Sequence, residues 1–296
     1  MSGSHRGSIL LEDAPVLTHS HFEDAQHVLR LQAPRCAARA TPGSFVHLRC
    51  ADDLPMRRPL SIMRASAEAG WIELLYKVTG AGTRALARAM PGQSLSVLGP
   101  IGVGFAAHAE RPRVLAIGGG VGIPPLIFLA ERLKEAADAA TTAWKPMVLM
   151  GSELPFPFRV RPSTIFVPGM PDEAIGCMPL LDEWSVPSRL ATLSGFPGCF
   201  DGYVTDLARA WLTSRSPGQL AETEIFACGP TPMLVTTARL AREFALPCQV
   251  ALEEFMACGV GGCAGCAVLV HNPSGTAMKR VCVDGPVFEA GTVFPA

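Results

Sequence analysis

Residues 113–137, RVLAIGGGVGIPPLIFLAERLKEAA, decide how this chain has to be read. RVLAI (113–117) is a compact apolar run bounded by glycine, the signature of a buried strand. GGGVG follows at once, and PPLIFLAERLKEAA (124–137) then reads as an apolar helix. Proline early in that helix gives up an N–H that would lack a partner anyway. Backbone amides at such a strand-to-helix junction, with the helix dipole behind them, suit a pyrophosphate. The stretch is not the G-x-G-x-x-G fingerprint, and a glycine-rich turn can also serve tight packing alone, so both uses stand.

Downstream the alternation continues. PMVLM (146–150), TIFV (164–167), EIFA (224–227) and CQVAL (248–252) read as strands, with helices through 203–214 and from Thr231 to about Phe244. Strands alternating with helices predict a doubly wound parallel sheet. The stretch 151–202 is rich in proline and poorly periodic, and is expected to hold a strand and long connections.

Upstream the rhythm differs. HVLRLQ (27–32), SFVHLRC (44–50), WIELLYKV (71–78) and SLSVL (94–98) are short strand-like runs broken by turns, with one short helix at TRALARAM (83–90). That spacing predicts a small antiparallel barrel. The expected division is therefore 1–109 barrel, 110–252 α/β domain and 253–296 cysteine-bearing segment.

With 296 residues, 49% of them hydrophobic and 17% charged, the chain can bury sizeable cores. The formal charge of -1 and the lack of any basic run argue against nucleic acid as a partner. No apolar run approaches bilayer length, and MSGSHRGSILLEDAP has no signal-peptide core. A cytoplasmic protein with reduced thiols is expected, where a cysteine cluster points to metal or redox chemistry before disulfides. Of the ten cysteines, Cys36, Cys50, Cys177, Cys199, Cys228 and Cys248 are dispersed and read mostly as small buried hydrophobes.

The other four form C-x4-C-x2-C-x15-C: Cys258, Cys263, Cys266 and Cys282, the last beyond a hairpin turning at 272–275. Structural zinc usually takes two C-x2-C pairs, and only one is present. The plant-ferredoxin spacing of a [2Fe–2S] cluster matches. Gly259, Gly261, Gly262 and Gly265 then let amides fold inward around charged sulfur without a side-chain clash. In the barrel, MRRPLSIM (56–63) is either a solvated charged corner or an arginine fork aimed at a phosphate. YKVTGAGT (76–83) adds a second amide-rich loop.

RRPLS, GAGT, PGQSLSVLGPIGVGF, GGGVGIPPL, CGPTPML and EEFMACGVGGCAGC…KRVCVDGPVF, in this order, resemble the ferredoxin–NADP reductase superfamily across essentially the whole chain. Within it the chain is most similar to the electron-transfer subunits of two-subunit, NAD-linked dihydroorotate dehydrogenases. The resemblance implies that Arg58, Pro59, Leu60 and Ser61, then Leu75, Tyr76 and Lys77, then Gly82 and Thr83, hold FAD. It implies NAD(H) at Gly119, Gly120, Gly122 and Pro124, with Cys228, Gly229 and Pro230 facing the nicotinamide. It implies Cys258, Cys263, Cys266 and Cys282 as ligands of a [2Fe–2S] cluster.

Because the cofactors carry the chemistry, no acid–base dyad is expected; Cys228 alone is a candidate for tuning hydride transfer, or simply fits there. The implied partner is a catalytic dihydroorotate-oxidising flavoprotein, in a heterotetramer, with the cluster at the subunit interface. Phe255, Met256, Val260 and Phe288 are candidates for the contact or for core packing. Two departures stand out: the long 151–202 stretch, which leaves NADH or NADPH open, and residues 1–20, which extend further than a barrel needs. Alternatives are a flavin and iron–sulfur subunit of a hydrogenase, sulfite reductase or ferredoxin–NADP transhydrogenase, and a zinc-stabilised binding module without catalysis.

Overall fold

A computed structural model describes residues 7, 9–139 and 143–295. The chain forms two compact units, one made of Met1–Gly104 with Ala251–Phe288 and the other of Phe105–Val250 with Glu289–Ala296.

In the first unit, β1 (Leu10–Phe22), β2 (Gln26–Gln32), β3 (Phe45–Leu48), β4 (Arg58–Ser66), β5 (Trp71–Lys77) and β6 (Ser94–Ile101) close into a barrel in the order β1-β2-β5-β4-β3-β6. Alternation along the strands sends one row inward; Leu29, Leu31, Ile72 and Leu74 are fully buried. Two short helices interrupt it, α1 (Pro34–Ala37) and α2 (Ala81–Leu86).

The expectation that residues 1–20 exceed what the barrel needs is overturned from Leu10 onward. β1 pairs with both β2 and β6 and is the strand that closes the ring. Its sequence hid this because a bulge between Val16 and Thr18 breaks the alternation. Residues 1–6 and 8, on which the reading of the amino-terminal segment also rests, lie outside the described residues.

The second unit is built on β7 (Arg113–Gly119), followed by α3 (Pro124–Asp138), and on β8 (Lys145–Gly151). A pair of two-residue strands comes next, β9 (Arg161–Pro162) and β10 (Gly176–Cys177), then α4 (Pro179–Glu183). β11 (Ser188–Thr192), β12 (Phe200–Asp201), α5 (Val204–Thr213), α6 (Pro217–Ala221), β13 (Thr223–Cys228), α7 (Thr231–Glu243) and β14 (Cys248–Ala251) complete it. The sheet runs β12-β11-β8-β7-β13-β14, parallel where β8 meets β7 and β11 and where β7 meets β13. β17 (Val287–Glu289) forms its edge and leads into α8 (Ala290–Val293).

TIFV (164–167), expected as a strand, is not one; the buried sheet strand of this region is β11. Phe166 is 86% exposed, so that apolar run has no sheet to bury against. In the tail, β15 (Ala267–Asn272) and β16 (Gly275–Arg280) form the expected hairpin. Among the described residues no helix is long and apolar enough to cross a membrane.

Candidate functional site

Three parts of the first unit converge on a gap between strands. β4 and β5 pair from Ser66↔Trp71 to Ile62↔Leu74 and then part. Arg58–Ser61 keeps only its pairing with β3, and Leu75–Lys77 only its pairing with β2. The expected FAD residues therefore line the two sides of a wedge. α2 stands at its mouth: a Cβ on Gly82 would lie 2.6 Å from Arg58 Nε, so glycine is what lets the guanidinium lie over the start of the helix. Thr83 Oγ1 accepts from the amides of Thr79 (2.9 Å) and Gly80 (3.1 Å) and holds that turn in shape.

The arginine pair divides its labour. Arg57 donates to Ser96 O at 2.7 Å and His47 O at 3.2 Å, stitching β6 to β3. Arg58 Nη1 donates to Met56 O and Arg57 O, and no carboxylate among the described residues pairs with it. Its charge is thus available to an anion, and Gly80 beside the turn has open space around it. Tyr76, by contrast, points its ring away into a stack with His27, so only its backbone can serve the wedge.

The thiol loop belongs to the same unit. Cys266 and Cys282 are buried with sulfurs 3.4 Å apart, while Cys258 and Cys263 neighbour each other nearer the surface. Sulfurs in two pairs suit two irons better than the single tetrahedron of structural zinc. Gly262 N donates to Cys258 Sγ at 3.3 Å and Gly265 N to Cys263 Sγ at 3.4 Å. Burial pulls the Cys258 thiol up, but amides of Val260, Cys263 and Gly262 outweigh it and bring the thiol down to about 6. Burial, then the neighbouring Cys266, pushes Cys282 up to about 12. Arg280 Nη1 pins the loop through Gly261 O at 2.7 Å. The donor set and its inward amides fit an iron–sulfur cluster.

His47, which the sequence did not single out, joins loop and wedge. It is fully buried, neither ring nitrogen has a full hydrogen-bond partner, and a Cβ on Gly259 would sit 2.7 Å from its Nδ1. Across the sheet it pairs with Pro59 of the expected FAD stretch. Burial first, then Arg57, lowers it to about 4, so the ring is neutral. Met256 and Phe288 pack on the core of Phe45, Ile101, Cys266, Val281 and Cys282, whereas Phe255 is 93% exposed and Val260 is partly so.

In the second unit the glycine turn abuts the end of β13. A Cβ on Gly122 would meet Cys228 O at 2.4 Å, and one on Gly119 would meet Met233 Sδ at 2.6 Å. Gly120, at φ 53°, has nothing within 4 Å. Gly119, Gly120, Gly122 and Pro124 are thus brought together with Cys228, Gly229 and Pro230 at the carboxyl ends of parallel strands, where such sheets bind ligands. Cys228 is buried, as are the other five dispersed cysteines.

Barrel, parallel α/β unit and cysteine-bearing tail define a flavoprotein reductase of the ferredoxin reductase-like fold. A solved NADH-dependent reduced ferredoxin–NADP oxidoreductase superposes with TM-score 0.75 at 26% identity, covering 95% of this chain and 90% of that one. The ferredoxin reductase of carbazole 1,9a-dioxygenase, at 22% identity and TM-score 0.61 over 81% of this chain and 67% of that one, shares the fold. Residues 253–294 match the iron–sulfur cluster binding domain of dihydroorotate dehydrogenase B. The electron transfer subunit of dihydroorotate dehydrogenase B (NAD(+)) from Desulforamulus reducens is 30% identical, over 95% of this chain and 97% of the relative. That of Geobacillus kaustophilus is 37% identical, over 85% and 86%. The chain belongs to the family of dihydroorotate dehydrogenase B electron transfer subunits, and is an oxidoreductase subunit that works with a catalytic partner.

Proposed function

We propose that this chain carries electrons from a dihydroorotate-oxidising flavoprotein to NAD+, using a [2Fe–2S] cluster, FAD and NAD(H), in the cytoplasm and within a heterotetramer. When bound, the cluster passes electrons singly and the flavin exchanges them in pairs, as hydride, with the nicotinamide. The chain's own residues bind, orient and set charge. Cys258, Cys263, Cys266 and Cys282 hold the cluster, with amides of Gly262 and Gly265 offsetting the negative charge of its sulfur.

Arg58 neutralises a flavin phosphate, Pro59, Leu60 and Ser61 with Leu75, Tyr76 and Lys77 flank its ring system through the parted strands, and Gly82 and Thr83 shape the turn. Gly119, Gly120, Gly122 and Pro124 receive the pyridine dinucleotide, with Cys228, Gly229 and Pro230 beside the nicotinamide. In these roles 1–109 is the flavin segment, 110–252 the nucleotide segment and 253–296 the cluster segment. Exposed Phe255 beside the thiol loop is the apolar anchor for the partner subunit.

The observation that supports this reading is His47, wedged under the thiol loop at Gly259 and paired to Pro59, so that the thiol loop and the expected flavin stretch meet on one residue within one unit. The test is anaerobic isolation of the chain, iron, sulfide and flavin analysis, and NADH-driven dye reduction with and without the catalytic partner. Flavin and iron together, with activity toward dihydroorotate only when the partner is added, is the expected result. A colourless, folded, zinc-containing chain sinks it.

A further inference from the structure

Three histidines at one rim of the barrel serve none of the roles above. His19 and His21 lie two residues apart on β1, and His21 pairs directly across the hairpin with His27 of β2. The bulge between Val16 and Thr18 shifts the alternation, so the inward row of Val16, Leu29 and Leu31 continues into His19, His21 and His27 instead of apolar side chains. Ring centroids are 4.8 Å apart for His19 and His21, 4.5 Å for His21 and His27, and 5.3 Å for His19 and His27. One ligand nitrogen from each lies within 4.8 Å of the others.

The hydrogen bonds around the group set it up as a ligand set. His19 Nδ1 is 2.8 Å from Ala89 O, which can only accept, so the proton sits on Nδ1. Nε2 therefore accepts from the Tyr76 hydroxyl at 2.9 Å, a bond that Tyr76 must give up, or turn into a further ligand oxygen, when an ion takes the lone pair. A ring N–H anchored on a backbone carbonyl fixes the tautomer and the ring's orientation, as it does in metal-bound histidines. His27 is only 6% exposed, is stacked on Tyr76, and its Nδ1 has no hydrogen-bond partner, which is costly for a buried polar atom unless something else supplies one. His21 is exposed and leaves a way in.

We infer that His19, His21 and His27 form a site for one divalent transition ion of borderline softness, zinc foremost, with three nitrogen ligands and an open position toward solvent. Nitrogens at ~2.0–2.1 Å from a tetrahedral ion stand roughly 3.4 Å apart, a closure within reach of ring rotation, chiefly of exposed His21. The ion clips β1 to β2 across the turn Glu23–Ala25, where Asp24 and Ala25 hold positive φ (53° and 56°). The site uses no cysteine and stands whether or not the electron-transfer reading does.

The test uses the full chain loaded with FAD and iron–sulfur cluster, stripped of adventitious metal and titrated with Zn2+ by calorimetry. Zinc and iron are counted after gel filtration. One zinc per chain with iron unchanged is expected, together with a higher melting temperature. His21→Asn and His27→Gln should each weaken zinc binding by at least about tenfold while flavin and iron content hold. Because His21 is exposed, its variant folds as the parent does and decides the matter alone. The inference is overturned if no zinc is retained, if His21→Asn retains it equally, or if zinc enters only as iron leaves.

Discussion

Two glycine-rich segments look alike in sequence and are built for opposite purposes. In GGGVG (118–122), a side chain on Gly118, Gly119 or Gly122 would strike Ile123, Met233 or the Cys228 backbone; only Gly120 faces open space. In the thiol loop, Gly262 and Gly265 have nothing nearer than a cysteine sulfur, at 4.0 Å and 3.6 Å from the position of an added Cβ. The first set of glycines lets the protein pack against itself. Gly262 and Gly265 keep a volume clear beside the cysteine sulfurs, whereas Gly259 of the same loop is packed on His47. Glycine richness alone therefore does not signal a ligand; what a Cβ would touch does.

The largest effect should come from removing a ligand. Cys266→Ser is expected to take iron from about two per chain to near zero, read by elemental analysis. Retention of both irons would remove Cys266 from the ligand set. Next come the two glycine classes. Gly122→Ala should cost about 1–3 kcal/mol by overpacking, seen in denaturant midpoints. Gly262→Ala should leave the cluster-free chain within about 0.5 kcal/mol of the parent yet shorten cluster lifetime in air. Equal stability losses would erase the contrast between the loops.

Arg58→Ala should weaken FAD binding by roughly ten- to a hundredfold, the loss of charge-assisted hydrogen bonds; unchanged flavin affinity would return Arg58 to a mere surface charge. A smaller effect concerns pH in the second unit. His108 Nδ1 meets Glu224 Oε2 at 2.9 Å, and that bond raises His108 above its usual 6.5. Burial raises Glu224 and Glu289. Groups that hold protons more tightly when folded give stability that is present at low pH and fades as pH rises through their raised values. In the cluster-loaded chain, where the depressed Cys258 thiol does not titrate, the melting temperature should fall as pH climbs above 6.5, with a shallower slope in His108→Asn. An identical slope would dismiss the pair as its source. Smallest is Cys228→Ala: NADH oxidation unchanged within about twofold would reduce Cys228 to a residue chosen for fit.

β7, β8, β13 and β14 of the parallel unit were legible because they are short, buried runs rich in apolar residues. The cysteine segment was legible because thiols gathered at so regular a spacing stand out, and residues 253–294 match an iron–sulfur cluster binding domain. β1 was not, since charge, proline and a bulge conceal its alternation. β11, SRLAT, carries a buried arginine that donates to Ser188 O and Ile165 O at 2.7 Å, so a core strand looked polar. His47 escaped notice because a lone histidine in a strand has no signature until the sheet register places it beside Pro59 and Gly259. The difference between Arg57 and Arg58 likewise depends on which carbonyls lie within reach.

The first unit draws its strands from before Gly104 and its cysteine segment from after Ala251, with all of Phe105–Val250 in between. Phe45 and Ile101 share a core with Val281 and Cys282. At ribosomal speeds of roughly 5–20 residues per second, the barrel, whose six strands all precede Gly102, waits on the order of ten seconds for the segment that covers this apolar side to emerge. Newly made chain therefore passes through a stage in which one flank of the barrel is greasy and uncovered. Premature termination anywhere before Ala251 would leave that stage permanent, an aggregation hazard rather than a smaller working reductase.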